Sequence, residues 1–349
     1  RVFRRASEVI MPTATIFTCA GLELSPDEEA FFKDVDPFGF ILFADNIESP
    51  DQIRRLTDSM RKCVDREDAP ILLDQEGGRV ARLQPPQWRE TLPAKSYGDL
   101  ALKEKAAALR ATWINGRLLA ADLYDLGINV DCAPVLDLSI PGAHDVIGDR
   151  SFGSEPAEVI DLARAFSDGL MLGGVLAMIK HVPGHGRAMA DSHKELPTVD
   201  LPREELERTD FAPFKGLADV PLAMTAHILF PQIDPDRPAT TSPIVINEIV
   251  RGYIGYQGLI VSDDVTMAAL SGSDRERAER TRAAGCDIVL HCYAELAQMR
   301  EIAEGSREME EHSVARWAAA QEKVKNAPVA ADLNALLREH SELMESANT

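Results

Sequence analysis

Eight short apolar, β-branched segments recur along the 349-residue chain, each followed by polar loop residues. They span residues 14–20, 39–43, 70–73, 129–136, 175–179, 222–225, 259–261 and 287–290. Helical patterns alternate with them at residues 51–64, 100–126, 156–172, 203–218, 243–254 and 274–284. Strands that alternate with helices form parallel β/α units, and eight of them favour a (β/α)8 barrel over an open doubly wound sheet. We therefore predict an α/β fold, a single-domain TIM-type barrel, with the catalytic domain over residues 11–300 and a C-terminal helical extension over residues 301–349.

The first twenty residues have two interpretations. A basic start precedes an apolar stretch, as in a signal peptide, but Pro12 and the threonines that follow favour the first barrel strand. Met11 is an alternative start, which would make residues 1–10 an upstream extension. We expect the stretch from Met11 to form the strand.

Composition excludes several classes of partner. The formal net charge is -20, which argues against nucleic acid and against anionic membrane surfaces. No apolar run reaches the roughly 18 residues of a membrane span. The five cysteines are odd in number and lack zinc-type CxxC spacing, which favours free thiols in a reducing cytoplasm.

Residues 180–193 concentrate ionisable side chains after the fifth apolar segment. His181 and His185 are four residues apart, but Pro183 and Gly184 between them prevent a helix from placing both on one face. We therefore expect no metal site and no cofactor.

The same stretch ends in a histidine next to a carboxylate. Asp191 and His193 form a pair in which the carboxylate can tune the imidazole toward neutral pH, as a general acid/base requires. The alternative is a solvated loop histidine without a catalytic role.

Other carboxylates and an arginine follow the strands of the predicted barrel, whose active sites lie at the carboxyl-terminal strand ends. Asp74 follows the third segment, Asp263 follows the seventh, and Arg150 lies in a long loop. A rigidly held Asp263 suits a nucleophile, although a helix-capping role fits equally. Asp74 and Arg150 suit a ligand rich in hydroxyl groups, or else an internal ion pair.

The chain resembles glycoside hydrolase family 3 β-N-acetylglucosaminidases of the bacterial peptidoglycan-recycling type. The matching motifs are DQEGGRVARL at 74–83, IGDRSFG at 147–153, KHVPGHG at 180–186, DSHKELP at 191–197, MTAHILFPQID at 224–234 and GLIVSDD at 258–264. They occur in the order typical of the family and cover roughly residues 14–295. Val182 replaces the more usual phenylalanine, and Gln75 the more usual histidine.

The resemblance implies a role for each matching residue. Asp263 would be the nucleophile, and His193 the acid/base with Asp191 as its partner. The residues that would bind the N-acetylglucosamine unit are Asp74, Arg82, Arg150, Lys180 and His181, and His227 is expected to line the same pocket. A cation such as Lys180 near Asp263 would favour its ionised form, and the glycines at 184 and 186 suggest a mobile lid.

The implied function is that of a retaining exo-β-N-acetylglucosaminidase acting on cytoplasmic muropeptides such as GlcNAc-1,6-anhydroMurNAc, in peptidoglycan recycling. The expected partner is this small carbohydrate, without nucleic acid or membrane, and the expected state is a monomer or weak dimer. The alternatives are a family 3 phosphorylase or β-glucosidase, a non-catalytic sugar-binding module, and a zinc amidohydrolase on the same barrel.

Overall fold

The protein is described by a computed structural model that covers residues 11–346. The expectation for residues 1–10 lies outside this range. The strands are β1 (Thr13–Phe17), β2 (Pro37–Leu42), β3 (Ile71–Leu73), β4 (Gln75–Gly77), β5 (Val80–Ala81), β6 (Val130–Asp131), β7 (Leu176–Val182), β8 (Leu222–Thr225), β9 (Leu259–Asp264) and β10 (Ile288–Leu290).

Eight of these strands form a closed parallel barrel in the order β1-β10-β9-β8-β7-β6-β3-β2. The first and last strands close it, with Thr15 paired to Val289 and Ile16 paired to Leu290. The remaining two, β4 and β5, form an antiparallel hairpin directly after β3. The predicted (β/α)8 fold is thus confirmed, and each of the eight predicted segments overlaps a barrel strand.

The helices surround the barrel. They are α1 (Pro26–Val35), α2 (Pro50–Cys63), α3 (Ala94–Ala101), α4 (Lys105–Tyr124), α5 (Pro156–Leu172), α6 (Arg203–Arg208), α7 (Ala212–Gly216), α8 (Asp274–Ala284), α9 (Leu296–Ser306), α10 (Glu311–Val324) and α11 (Leu333–Ser346). A π-helical segment, Val245–Tyr253, connects β8 to β9. Within residues 11–346, none of the helices combines the length and the apolar character that crossing a bilayer requires.

Helix boundaries differ from the prediction in three places. The pattern at 100–126 contains parts of two helices, because Glu104 between α3 and α4 has a non-helical backbone, with φ -146° and ψ 88°. The pattern at 203–218 is likewise divided, with Thr209 between α6 and α7. Helix α1 was not predicted, although Ser25 and Glu28 form a capping box at its start.

Side chains that alternate along the strands form two apolar layers. In β2, Ile41 belongs to the cluster inside the barrel, whereas Phe40 and Leu42 on either side of it belong to the cluster between the barrel and its helices. This alternation is the period of two expected for strands that are buried on both faces.

Helix α10 closes the amino-terminal end of the barrel. Its Trp317 is 7% exposed and meets the Phe38 ring edge-on, with centroids 5.1 Å apart. On the same helix, Ser313 Oγ and Arg316 Nη1 both donate to Asp287 Oδ1 at 2.6 Å. The range expected to form a helical extension, residues 301–349, contains α10 and α11, and the division at residue 300 stays a prediction.

We expect Trp317→Ala to lower the free energy of unfolding by about 3–5 kcal/mol, since it removes a buried aromatic ring and leaves a cavity under the barrel. Urea denaturation followed by circular dichroism measures the change. The control is Lys323→Ala, an exposed position on the same helix. A Trp317→Ala cost no larger than that of the control would contradict the sealing role of α10.

Candidate active site

A cavity of about 510 Å³ opens at the carboxyl-terminal end of the barrel. Seven of the eight residues assigned a role from the sequence line it, and the eighth, Asp191, contacts His193 from behind. The seven lining residues are Asp74, Arg82, Arg150, Lys180, His181, His193 and Asp263. Residues that are far apart in sequence thus meet at the carboxyl-terminal end of the barrel, where the active sites of this fold lie.

Lys180 is the centre of a buried ion-pair cluster. Its side chain is 3% exposed, and its Nζ lies 2.8 Å from Asp74 Oδ1 and 2.6 Å from Glu76 Oε1. Burial alone would lower the pKa of Lys180, but these two carboxylates raise it above its ordinary value. The ammonium group is therefore charged throughout the neutral range, and it fixes strand β7 against the β4–β5 hairpin.

Two arginines complete this cluster. Arg150 Nε and Nη2 each donate to one oxygen of Glu76 at 2.8 Å, and Arg82 Nη2 donates to Asp74 Oδ2 at 3.2 Å. Burial would raise the pKa of Asp74, but Lys180 and Arg82 hold it well below its usual range. Both carboxylates are therefore ionised acceptors with fixed positions.

Glu76 is a site residue that the sequence reasoning missed. It lines the cavity and bridges Lys180 to Arg150, although the motif that contains it was recognised only for Asp74 and Arg82. The hairpin turn that presents it uses Gly77 at φ +103, where a Cβ atom would lie 2.2 Å from the Leu92 carbonyl oxygen. The two glycines after Glu76 could have pointed to it from the sequence, because they predict a tight turn that holds the side chains beside it in fixed positions.

Asp137 orients the chain segment that follows Lys180. It is fully buried and accepts from His181 Nδ1 at 2.7 Å, from His181 N at 3.2 Å and from His185 N at 2.6 Å. A carboxylate accepts only, so Nδ1 carries a proton and Nε2 is the free position of His181. Burial would raise the pKa of Asp137, but His181 lowers it, so the carboxylate remains ionised.

Asp263 and its neighbour Asp264 are the last two residues of strand β9. The Asp263 carboxylate lines the cavity and accepts from the Asp264 backbone N–H at 2.9 Å. Asp264 accepts instead from Thr266, through its backbone N–H at 3.1 Å and its hydroxyl at 2.8 Å. The two adjacent carboxylates therefore differ in environment, and burial raises the pKa of Asp264 to about 6.

His193 and Asp191 form a hydrogen-bonded pair on the loop after β7. His193 Nδ1 lies 2.8 Å from Asp191 Oδ1, which also accepts from the His193 backbone N–H at 3.0 Å. Burial would raise the pKa of Asp191, but the His193 hydrogen bonds lower it. The imidazole side chain is 61% exposed and lines the same cavity as Asp263.

One expectation about a neighbouring residue is wrong. His227 does not line the cavity: it is fully buried, with Nδ1 2.7 Å from Thr240 Oγ1 and Nε2 donating to the Asp264 carbonyl at 2.8 Å. It supports the end of β9 from inside the protein. Lys180 lines the same cavity as Asp263, and its ion pairs are with Asp74 and Glu76.

The described residues contain no group of three or more His, Cys, Asp or Glu side chains arranged to hold a metal ion. The candidate pair His181 and His185 has ring centroids 5.6 Å apart. Asp137 accepts from the His181 ring and from the backbone of both residues, which accounts for their proximity.

We expect Glu76→Gln to lower the free energy of unfolding by about 3–5 kcal/mol at pH 7, because it leaves a buried ammonium and a buried guanidinium short of one negative charge. The pKa of Glu76 is lowered in the folded protein: burial opposes this shift, but Lys180 and Arg150 outweigh it. The stabilisation of the folded protein by the ionised Glu76 carboxylate is therefore complete above its ordinary pKa of 4.5. It is lost as the pH falls through the lower pKa of the folded protein.

Urea denaturation of both proteins between pH 7 and pH 3 checks this, because the loss begins only below about pH 4.5. The difference should shrink toward acidic pH, whereas Glu29→Gln, at an exposed ion pair with Lys33, should change little at any pH. A Glu76→Gln cost that grows as the pH falls would contradict the prediction.

Comparison with known proteins agrees with this geometry. Residues 10–327 match the glycosyl hydrolase family 3 N-terminal domain. The chain is 37% identical over 298 residues to a β-hexosaminidase of Bordetella pertussis, covering 84% of each protein. It is 42% identical over 279 residues to a β-hexosaminidase of Alkalilimnicola ehrlichii, covering 78% of each.

Solved structures show the same relationship. The crystal structure of NagZ from Neisseria gonorrhoeae in complex with N-trifluoroacetyl-D-glucosamine superposes with a TM-score of 0.86 at 33% identity. The match covers 96% of this chain and 99% of that one. Because the family match spans most of the chain and its relatives are β-hexosaminidases, this chain is a glycoside hydrolase that belongs to family 3, among the NagZ-like β-N-acetylglucosaminidases.

Proposed function

We propose that this protein is a retaining exo-β-N-acetylglucosaminidase that removes N-acetylglucosamine from cytoplasmic muropeptides of the GlcNAc-1,6-anhydroMurNAc type, in peptidoglycan recycling. One observation carries the proposal: Asp263 and the Asp191–His193 pair meet at one cavity beside a fixed cluster of cations and carboxylates. The gonococcal NagZ complex with an N-acylated glucosamine supports the identity of the sugar.

The cluster around Lys180 is the proposed binding site for the sugar ring. Asp74 is an ionised acceptor, and the guanidinium group of Arg82, whose side chain is 30% exposed, is a donor at the same cavity. A sugar hydroxyl is both a donor and an acceptor, so it satisfies groups of both kinds. Contacts of this kind that tighten as the ring distorts lower the barrier to glycosidic cleavage.

The proposed chemistry has two steps. Asp263 attacks the anomeric carbon and forms a glycosyl-enzyme ester, while His193 gives its Nε2 proton to the departing oxygen. His193 then removes a proton from water, which displaces Asp263 and returns the sugar with its original anomeric configuration. Asp191 stabilises the imidazolium form and fixes the ring, as the carboxylate of a hydrolytic triad does.

A 5-fluoro-N-acetylglucosaminyl fluoride should trap the ester. The ring fluorine slows both steps, but the good fluoride leaving group keeps the first step fast enough for the ester to accumulate. Peptide mapping by mass spectrometry is expected to place the label within residues 258–264. Asp263→Asn, which keeps the shape but not the charge, should take up no label and lose at least about 10³-fold in kcat. A label elsewhere would remove Asp263 from the role of nucleophile.

The proton-transfer role of His193 predicts a loss that depends on the leaving group. His193→Ala should lose about 10²- to 10⁴-fold in kcat/KM on GlcNAc-1,6-anhydroMurNAc, whose leaving oxygen needs a proton. It should lose far less on a 2,4-dinitrophenyl glycoside, whose leaving group departs as an anion. His312→Ala, which alters a half-exposed histidine near Asp287, serves as the control. Equal losses on the two substrates would contradict the assignment.

Product analysis of the same disaccharide tests the reaction class. We expect free N-acetylglucosamine, released first as the β-anomer in an NMR time course, whether or not inorganic phosphate is present. Phosphate-dependent formation of a sugar 1-phosphate would replace hydrolysis by phosphorolysis, and an initial α-anomer would exclude the retaining mechanism.

A further inference from the structure

A large aromatic side chain is exposed at the mouth of the cavity and has no part in the mechanism above. Tyr293 is 57% exposed, follows strand β10 and lines the same cavity as Asp263 and His193. Exposed aromatic rings beside a binding cleft are commonly ligand-contacting groups, because they offer an apolar face together with a polar edge.

The strand order places Tyr293 across the mouth from the charged cluster. That cluster projects from β7, from the β4–β5 hairpin after β3, and from the loop after β6 that carries Arg150. In the ring of eight strands, β10 is four positions from β6 and therefore lies opposite to it. Asp263, on the intervening strand β9, lies between the cluster and Tyr293.

Buried rings hold the tyrosine in place. The His291 ring neighbours the Tyr293 ring, with centroids 6.2 Å apart and planes inclined by 49°. Phe17 meets the same His291 ring edge-on, with centroids 6.0 Å apart. His291 is fully buried, and burial lowers its pKa to about 4, so it is a neutral aromatic ring at physiological pH. Tyr293 thus neighbours a buried, uncharged aromatic ring.

These positions divide the cavity by chemistry. The cleaved carbon must reach Asp263, and the sugar that carries it contacts the cluster around Lys180. A leaving group that extends from that carbon away from the cluster would reach β10. We propose that Tyr293 forms the leaving-group subsite and packs its ring against the apolar C–H face of a departing pyranose. This inference rests on the proposed function and adds the part of the site that selects the leaving group.

Tyr293→Ala tests the subsite with two substrates of the same sugar. In the GlcNAc-1,6-anhydroMurNAc disaccharide the leaving group is a pyranose, whereas in methyl N-acetyl-β-glucosaminide it has no ring. We expect kcat/KM on the disaccharide to fall about tenfold, the scale of one aromatic contact, with kcat/KM on the methyl glycoside unchanged. Tyr293→Phe, which keeps the ring, should retain most of the activity on both substrates.

The matched control is Tyr124→Ala, at a tyrosine that is 47% exposed on α4, away from the cavity. It should leave the ratio of the two kcat/KM values unchanged. Equal losses of Tyr293→Ala on both substrates, or full activity on the disaccharide, would overturn the subsite. A wild-type protein that releases no sugar from either substrate would instead overturn the proposed function on which the subsite rests.

Discussion

The buried ammonium of Lys180 is the interaction on which the active-site end of the barrel depends. Its side chain is 3% exposed, so leaving it unpaired would cost several kcal/mol. Asp74 follows β3, Glu76 lies in the hairpin after it, and Arg150 reaches Glu76 from the loop after β6. One buried charge therefore fixes three segments relative to strand β7, and fixed dipoles and charges are what a hydroxyl-rich ligand requires of its site.

Most of the fold could be predicted because its signal is local. Each barrel strand is a short apolar run, and the period of strands and helices leaves few topologies open. The breaks inside helices could not be predicted in this way. Residues 102–104 between α3 and α4 are leucine, lysine and glutamate, which are all good helix formers, so tertiary packing overrides their propensity. Tyr97 on α3, for example, is buried with its hydroxyl 3.0 Å from His340 Nε2 on α11.

The site residues at the strand ends could be predicted from the sequence, but the contacts between them could not. Asp74 follows β3, and Lys180 and Asp263 lie near the carboxyl-terminal ends of β7 and β9. Which of these side chains form ion pairs, however, depends on which of them meet across the barrel. Lys180 is 106 residues from Asp74, and Arg150 is 74 residues from Glu76. His227 shows that a position at a strand end does not by itself place a side chain in the cavity. It also stands at a strand end, yet its side chain turns into the protein and bonds to the Asp264 carbonyl.

The two parts of the site differ in how firmly they are held, and the proposed mechanism needs this difference. Asp137 fixes the backbone at His181 and His185, and Arg187 is paired with the buried Asp210 at 2.6 Å. Beyond these anchors the loop carries His193, which is 61% exposed. Binding and attack require fixed groups, whereas the acid/base must act twice, first on the leaving oxygen and then on water. A rigid Lys180 cluster with an accessible imidazole on a loop allows the leaving group to depart and water to enter along the same path.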